Sequence, residues 1–177
     1  MQNLEYVFVL SFDEKTENYF NDIVDFIAKS GASSYMVDAK IQPHITIADF
    51  HTDNIATIIN ELENNICNFR AGFVRWGSIG SFVPQVLFAA PIVNEYLLNT
   101  CSKMNGFLKP LASHFGEHYL PLQWVPHTTL ATRLDNDSLS KAFASVVQKF
   151  SPIEGECVRL ELVQCNPYVE IKAWQLG

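Results

Sequence analysis

The 177-residue sequence has few charged side chains and little positive charge. Lys and Arg number 12 against 19 Asp and Glu, so the formal net charge is −7. This balance argues against a broad basic surface that follows long duplex nucleic acid. It still permits a few local groups that bind a small phosphate compound or a nucleic-acid end. With 48% hydrophobic and only 18% charged residues, the chain is expected to fold as one globular domain over residues 1–177.

Paired cysteines and long apolar runs are also missing. The cysteines are widely spaced and show no Cys-x-x-Cys pattern, which favours buried free thiols over disulfides or a zinc site; they are Cys67, Cys101, Cys157 and Cys165. The apolar run at residues 6–10 is too short to span a membrane and is not followed by a cleavage site. We therefore expect a cytoplasmic protein with no membrane contact.

Common nucleotide and metal signatures are absent as well. The glycine-rich stretch Gly77–Phe82, which we expect to be a loop, lacks the Lys-Ser/Thr of a P-loop. His114 and His118 stand four apart, but their order is not that of a zinc protease and Gly116 disfavours a helix between them. The sequence thus predicts no metal site and no cofactor.

One short motif occurs twice. Pro43-His44-Ile45-Thr46-Ile47 is followed 83 positions later by Pro126-His127-Thr128-Thr129-Leu130. Residues two apart in a strand point to the same side. Each copy therefore offers an imidazole and a hydroxyl side by side, from His44 with Thr46 and from His127 with Thr129.

The hydrophobic patterns around the two motifs also repeat. Each half of the chain is predicted to run strand, helix, motif strand, helix, strand, and the second half begins near Val86. This order predicts an α+β fold of two pseudo-symmetric lobes, roughly 1–83 and 84–177. Each lobe would be an antiparallel sheet flanked by helices, around a central cleft in which the two histidines face each other.

These motifs resemble those of the 2H phosphoesterase superfamily, and within it the group of 2′-5′ RNA ligases and RNA 2′,3′-cyclic phosphodiesterases. The resemblance is carried by His44-Ile45-Thr46-Ile47 and His127-Thr128-Thr129-Leu130. Gly80-Ser81-Phe82, followed by the predicted strand at Val86–Ala89, resembles the family's segment between its motifs.

The resemblance implies a metal-independent hydrolase that opens a 2′,3′-cyclic phosphate, giving a 2′-phosphate. His44 and His127 would be the catalytic pair, because a histidine with a pKa of about 6.5 can serve as base or acid near neutral pH. The hydroxyls of Thr46 and Thr129 would donate hydrogen bonds to the phosphate oxygens. The expected partner is an RNA terminus or a small cyclic-phosphate nucleotide, bound by a monomer.

Two further residues are candidates for the cleft. Family members often carry an arginine five residues after the second histidine, where this chain has Thr132, with Arg133 one position later. In a regular strand Arg133 would share the face of His127 and Thr129 and could reach the phosphate. Phe82 could stack on a base or could simply pack into the core.

Other readings of the same residues stay open. The site could perform 2′-5′ RNA ligation or cleave 2′-5′-linked oligonucleotides. An alternative of another class is a non-catalytic module that binds phosphorylated RNA ends. The last alternative is an α+β domain whose histidines never meet. The substrate could be RNA, a free nucleotide or an ADP-ribose cyclic phosphate.

Overall fold

The computed structural model describes residues 5–112 and 114–177, which form five α-helices, eight β-strands and two short 3₁₀ turns. The helices are α1 (Glu14–Ser30), α2 (Tyr35–Asp38), α3 (Ile55–Asn65), α4 (Glu95–Leu108) and α5 (Asn136–Val147). The strands are β1 (Glu5–Phe12), β2 (Ile45–His51), β3 (Gly72–Phe82), β4 (Val86–Pro91), β5 (His114–Phe115), β6 (Thr128–Thr132), β7 (Ile153–Gln164) and β8 (Val169–Gln175). The 3₁₀ turns are Ile66–Asn68 and Glu117–Tyr119.

Local sequence signals set the ends of the helices. Helix α1 begins after Asp13, whose side chain accepts a hydrogen bond from the Thr16 amide, and ends at Gly31 in the left-handed conformation, with φ of 75°. Helix α5 begins with a capping box between Asp135 and Ser138. Helix α3 is capped by Asn54, whose side chain accepts a hydrogen bond from the Thr57 amide. Each long helix then buries one apolar stripe.

All the strands join one antiparallel sheet flanked by helices, so the predicted α+β class is confirmed. The order is β5-β2-β1-β7-β3-β4-β6. Strand β8 lies outside this order and pairs with residues 159–164 of β7. Apart from the two-residue β5 at one edge, and with β8 off this path, the order is symmetrical about the central β7–β3 pair, with two strands on each side. Strand β3 follows α3 but pairs with β4 of the second half, and β7 follows α5 but pairs with β1 of the first half. The division of the chain into two lobes near residue 83 stays a prediction. The third strand of each half, β3 or β7, pairs with a strand of the other half.

The sheet packs most of its apolar side chains against the helices. Phe8, Leu10 and Phe12 of β1 are buried in this main core, with the fully buried Trp76 of β3. On the opposite face of β1 a small second cluster contains Val7, Val9 and Val163, with Cys165 and Tyr168 beside them. Strands β2 and β6 have Cα atoms within 8 Å of each other although they lie far apart in the sheet order. The sheet is therefore curved enough to bring the two motif strands together.

The loop expected at Gly77–Phe82 is wrong, because these residues continue strand β3. Gly77 is left unpaired in a bulge between Trp76 and Ser78. Gly80 lies directly under the ring of Phe88, where an added Cβ would come within 2.5 Å of ring carbons. Gly77 thus permits a bulge and Gly80 permits a close ring contact within one strand, which explains why the segment has the composition of a loop.

The cysteines form no disulfides. Cys101 and Cys157 are buried, Cys165 is half-buried and Cys67 is exposed, so the expectation of buried thiols is wrong for Cys67. Within residues 5–112 and 114–177, none of the helices has both the length and the apolar character needed to cross a membrane.

Candidate active site

The two motifs occupy equivalent places at the starts of β2 and β6. In each, the histidine immediately precedes the strand, and a β-bulge follows the threonine. Ile47 is the unpaired residue of the first bulge and Leu130 that of the second. Both side chains are buried in the main core. The repeat therefore extends from the sequence to the hydrogen-bond register of the backbone.

Each imidazole is fixed by the same backbone contact. Nδ1 of His44 lies 2.7 Å from the carbonyl oxygen of Gln42, and Nδ1 of His127 lies 2.8 Å from that of Val125. A carbonyl oxygen can only accept, so each Nδ1 carries the proton and donates it. In the neutral ring Nε2 is then the basic nitrogen, available for a proton from substrate or water.

Aromatic rings pack against both imidazoles, but in different geometry. Tyr168, in the turn between β7 and β8, stacks on His44 with the ring centroids 6.0 Å apart and an interplanar angle of 20°. Phe82 meets His127 edge-on at 4.9 Å and 90°, and Phe88 lies 5.4 Å away at 56°. Both rings therefore have a restricted orientation. Tyr168 was not identified from the sequence, because nothing in the β7–β8 turn distinguishes it from an ordinary packed tyrosine.

Burial makes both histidines poor proton acceptors in the free protein. The pKa of His44 is lowered to about 4, mainly because burial removes the ring from water; the Gln42 carbonyl acts against this shift, and the positive charge of His127 adds to it. Desolvation likewise lowers the pKa of His127, against the effect of the Val125 carbonyl. Both imidazoles are thus neutral at pH 7. The effect of the His127 charge on His44, together with the close approach of β2 and β6, indicates that the two imidazoles lie near each other.

The threonines differ in exposure. Thr46 is only 8% exposed and shares a side-chain hydrogen bond with Tyr119. Thr129 is half-buried and lies opposite Phe88 in the β4–β6 register. The backbone carbonyl of Tyr119 accepts a hydrogen bond of 3.1 Å from Asn105 on α4, which anchors the segment that carries this tyrosine. Sequence reasoning missed Tyr119, because it lies in an irregular segment where periodicity gives no signal.

A cavity of about 440 Å³ opens beside His127. Its walls come from the β3–β4 hairpin, from the segment between β5 and β6, and from the second motif. The lining residues are Phe82, Val86, His118, Tyr119, Gln123, Val125 and His127. The cavity therefore joins the second histidine to Tyr119, which contacts the threonine of the first motif.

The structure does not support the placement expected for Arg133. Because the bulge at Leu130 adds an unpaired residue, the alternation of side chains is reversed after it. Thr132 lies opposite Val86 and so shares the face of Thr129. Arg133 has a φ of 59° and its guanidinium lies 3.8 Å from the ring centroid of Tyr35, whose hydroxyl it also contacts at 2.9 Å. The prediction that Arg133 shares the face of His127 and Thr129, and so reaches the phosphate, is therefore wrong.

One ion pair occupies the same sheet face as the small Val7–Val9 cluster. Arg159 and Glu161 on β7 lie 2.7 Å apart, and Arg159 is opposite the buried Ser11 in the β1–β7 register. Burial raises the pKa of the Glu161 carboxyl, although Ser11 and Arg159 act in the opposite direction. The pair places a partly exposed guanidinium on this face.

His114 and His118 do not lie on one helix, since strand β5 and a 3₁₀ turn contain them. The side chain of His114 lies outside the described part of the structure. Among the described residues, no three His, Cys, Asp or Glu side chains converge as ligands for a metal ion.

The candidate site thus consists of two equivalent His-Thr pairs on a curved antiparallel sheet. A family model, the 2′-5′ RNA ligase superfamily, matches residues 21–166, which include both motifs. The chain belongs to this superfamily of 2H phosphoesterases, and the resemblance found in the sequence is confirmed. No curated protein sequence matches the chain.

Solved structures share the fold at low sequence identity. Escherichia coli LigT complexed with 3′-AMP has a TM-score of 0.61 at 11% identity and covers 99% of both chains. TT0787 of Thermus thermophilus has a TM-score of 0.63 at 15% identity and covers 97% of both chains. Usb1 of Kluyveromyces marxianus has a TM-score of 0.51 at 10% identity, over 96% of this chain and 98% of that one. These likenesses confirm the fold and leave the reaction to be argued from the site.

Proposed function

We propose that the protein is a metal-independent cyclic phosphodiesterase that hydrolyses a 2′,3′-cyclic phosphate, on an RNA end or a nucleotide, to a 2′-phosphate. The observation that carries the proposal is the equivalent anchoring of two imidazoles, one of which, His127, lies close enough to affect the other electrostatically. Each leaves Nε2 free, and each has a threonine hydroxyl two residues further along the same strand. The membership of the 2′-5′ RNA ligase superfamily supports phosphoesterase chemistry at this site.

In the proposed reaction a new bond forms between a water oxygen and phosphorus, and the bond from phosphorus to O3′ breaks. One histidine takes a proton from the water and the other gives a proton to O3′, so the pair ends with its protonation states exchanged. Thr46 and Thr129 donate hydrogen bonds to the non-bridging oxygens, on which negative charge increases in the transition state.

The environments of the two rings favour His44 as the base. Its pKa of about 4 keeps it neutral over a wide pH range. His127 is the acid in this assignment, and the negative charge of the bound phosphate favours its protonated form. The fold shared with LigT, whose structure was solved with 3′-AMP, supports a nucleoside phosphate as the ligand here too.

The test is a panel of nucleoside 2′,3′-cyclic phosphates and cyclic-ended RNAs, incubated with the protein and EDTA and followed by ³¹P NMR. We expect conversion to a single 2′-phosphate product. If no substrate of the panel is converted but one binds tightly, the protein is a phosphate-end binder and the proposed hydrolysis is wrong.

The family match also keeps 2′-5′ RNA ligation as a second candidate. Ligation at this site is the same displacement with a 5′-hydroxyl in place of water: a bond forms between O5′ and phosphorus, the bond from phosphorus to O3′ breaks, and the two histidines again take up and supply the protons. Incubating a cyclic-ended RNA with a 5′-hydroxyl RNA distinguishes the two, because a ligase forms a longer product that gel electrophoresis detects.

A further inference from the structure

One row of opposed residues connects the first motif to strand β7. Residues directly opposite each other on neighbouring strands point to the same side of a sheet. Thr46 on β2 lies opposite Val9 on β1, and Val9 lies opposite Glu161 on β7. Val9 belongs to the small cluster on the sheet face away from the main core. Thr46 and Glu161 therefore share that face.

The neighbouring row runs from His44 to Arg159. The last paired residues of β1 and β2 are Leu10 and Ile45, so Ser11 and His44 follow them at the same level. Ser11 in turn lies opposite Arg159 on β7. Two strand spacings of about 4.8 Å each separate the Cα atom of His44 from that of Arg159. A long side chain such as arginine can cover much of that distance, so its guanidinium can share one anion with His44.

Side-chain contacts connect the same residues. Nη2 of Arg159 lies 2.7 Å from Oε1 of Glu161. Burial raises the pKa of the Tyr168 hydroxyl, and the nearby charge of Glu161 adds to this shift. The ring of Tyr168 is stacked on His44 with the centroids 6.0 Å apart. One ion pair and one tyrosine thus link the guanidinium to the first imidazole.

The guanidinium can hold Glu161 and an anion at the same time. The side chain of Arg159 is 38% exposed, whereas that of Glu161 is 5% exposed. A guanidinium has five N–H donors in a planar fork, and the contact with Glu161 is made by one terminal nitrogen. Glu161 therefore fixes the fork from the buried side and offsets part of its charge, while the exposed side can donate to a phosphate oxygen.

The proposed reaction benefits from a fixed positive charge that the free histidines do not supply. Both imidazoles have lowered pKa values and are neutral at pH 7. Negative charge on the phosphate oxygens increases in the transition state. Arg133, which the sequence assigned to the phosphate, contacts Tyr35 instead. A guanidinium keeps its charge at every pH at which the protein is folded.

We propose that Arg159 is the phosphate-binding cation of this site and that Glu161 holds it in position. The inference rests on the proposed function for the identity of the reaction. The guanidinium donates to a non-bridging oxygen of a phosphate that lies between the two imidazoles. Strand β7 thus supplies the positive charge that was expected from the second motif strand.

The first test removes the guanidinium. Arg159→Met is expected to lower kcat/KM by about 10²-fold, because one charged donor to the phosphate is lost. Arg159→Lys keeps the charge without the planar fork and should lie about 10-fold below the wild-type value. Arg70→Met removes one positive charge at an exposed position before β3 and is the matched control, expected to stay within about twofold of wild type.

A purely structural role of Arg159 predicts a different result. Arg159→Met alone leaves the buried Glu161 without its cation, which destabilises the protein. A double variant with Arg159→Met and Glu161→Met removes both charges and should recover the stability in urea unfolding. Its kcat/KM is expected to stay about 10²-fold below wild type. If the double variant regains wild-type activity, the arginine only neutralises Glu161 and the proposal is wrong.

Binding of inorganic phosphate to the wild-type protein separates this proposal from the hydrolysis. We expect the Nε–H signal of Arg159 in NMR to shift with the same dissociation constant as the signals of His44 and His127. The constant should be about 10- to 100-fold higher in Arg159→Met. If cyclic phosphates are not hydrolysed but these shifts occur, the anion site stands and the hydrolysis falls. Shifts of the histidines alone, of Arg159 alone or of none of the three would overturn the proposal even in an active enzyme.

Discussion

The first and second His-Thr pairs have the same backbone geometry but different surroundings. In both, a carbonyl two residues earlier anchors the imidazole and a bulge follows the threonine. Yet the first pair is enclosed, with His44 stacked on Tyr168 and Thr46 bonded to Tyr119. The second faces a cavity beside Phe82. The symmetry of the site therefore lies in its main-chain geometry. Side chains from turns and loops make the surroundings of the two pairs unequal.

The largest effect should come from removing either imidazole. His44→Ala and His127→Ala are each expected to lower kcat by about 10²- to 10⁴-fold, because each loses one proton transfer. His51→Gln changes a histidine at the other end of β2 and serves as the matched control. Circular dichroism would verify the fold, and retention of more than a tenth of kcat in either alanine variant would show that the two halves are not both catalytic.

Removal of the hydroxyls should have the next largest effect. Thr46→Val and Thr129→Val keep the side-chain shape but remove one donor to the phosphate, with an expected loss of about 10²-fold in kcat. Serine at either position should restore most of the activity. If valine and serine variants behave alike at 129, its hydroxyl does not contact the reacting phosphate and the two pairs differ in role.

The pH dependence should show how far the surroundings have shifted the pair. Activity rises with pH as the base loses its proton and falls as the acid loses its own. With His44 as base, its pKa of about 4 places the rising limb of kcat/KM well below the ordinary histidine value of about 6.5. The pKa of His127 is also lowered, so the optimum should lie below pH 6.5. A rising limb at or above that value would contradict the assignment.

A smaller effect is expected at the position next to each histidine. Thr128 Oγ1 accepts a buried hydrogen bond of 3.0 Å from the indole of Trp76, whereas the first motif has the apolar Ile45 in the equivalent place. Thr128→Val should therefore lower the free energy of unfolding by about 1–3 kcal/mol, because the indole N–H is left without a partner. Ile45→Val is the control and should cost about 1 kcal/mol. Urea unfolding measures both, and a Thr128→Val protein as stable as wild type would refute the role of this bond.

The repeat was predictable because its signals are local. A histidine two residues before a threonine, at the start of an apolar strand, is visible in each motif, and so are the Asp13 and Gly31 helix signals. Arg133 was misplaced because the bulge at Leu130 depends on pairing with β4, a strand more than 40 positions earlier. Tyr119 and Tyr168 reach the site from irregular segments, whose positions depend on tertiary packing and leave no periodic pattern in the sequence.

The central claim is that both imidazoles act on one phosphate. Its most direct test is a histidine-selective NMR titration of the wild-type protein with a nucleoside 2′-monophosphate, the proposed product. The Nε2 signals of His44 and His127 should shift together with a single dissociation constant, and the pKa of each should rise as the anion binds. Shifts of only one imidazole, or separate dissociation constants for the two, would contradict a shared phosphate site.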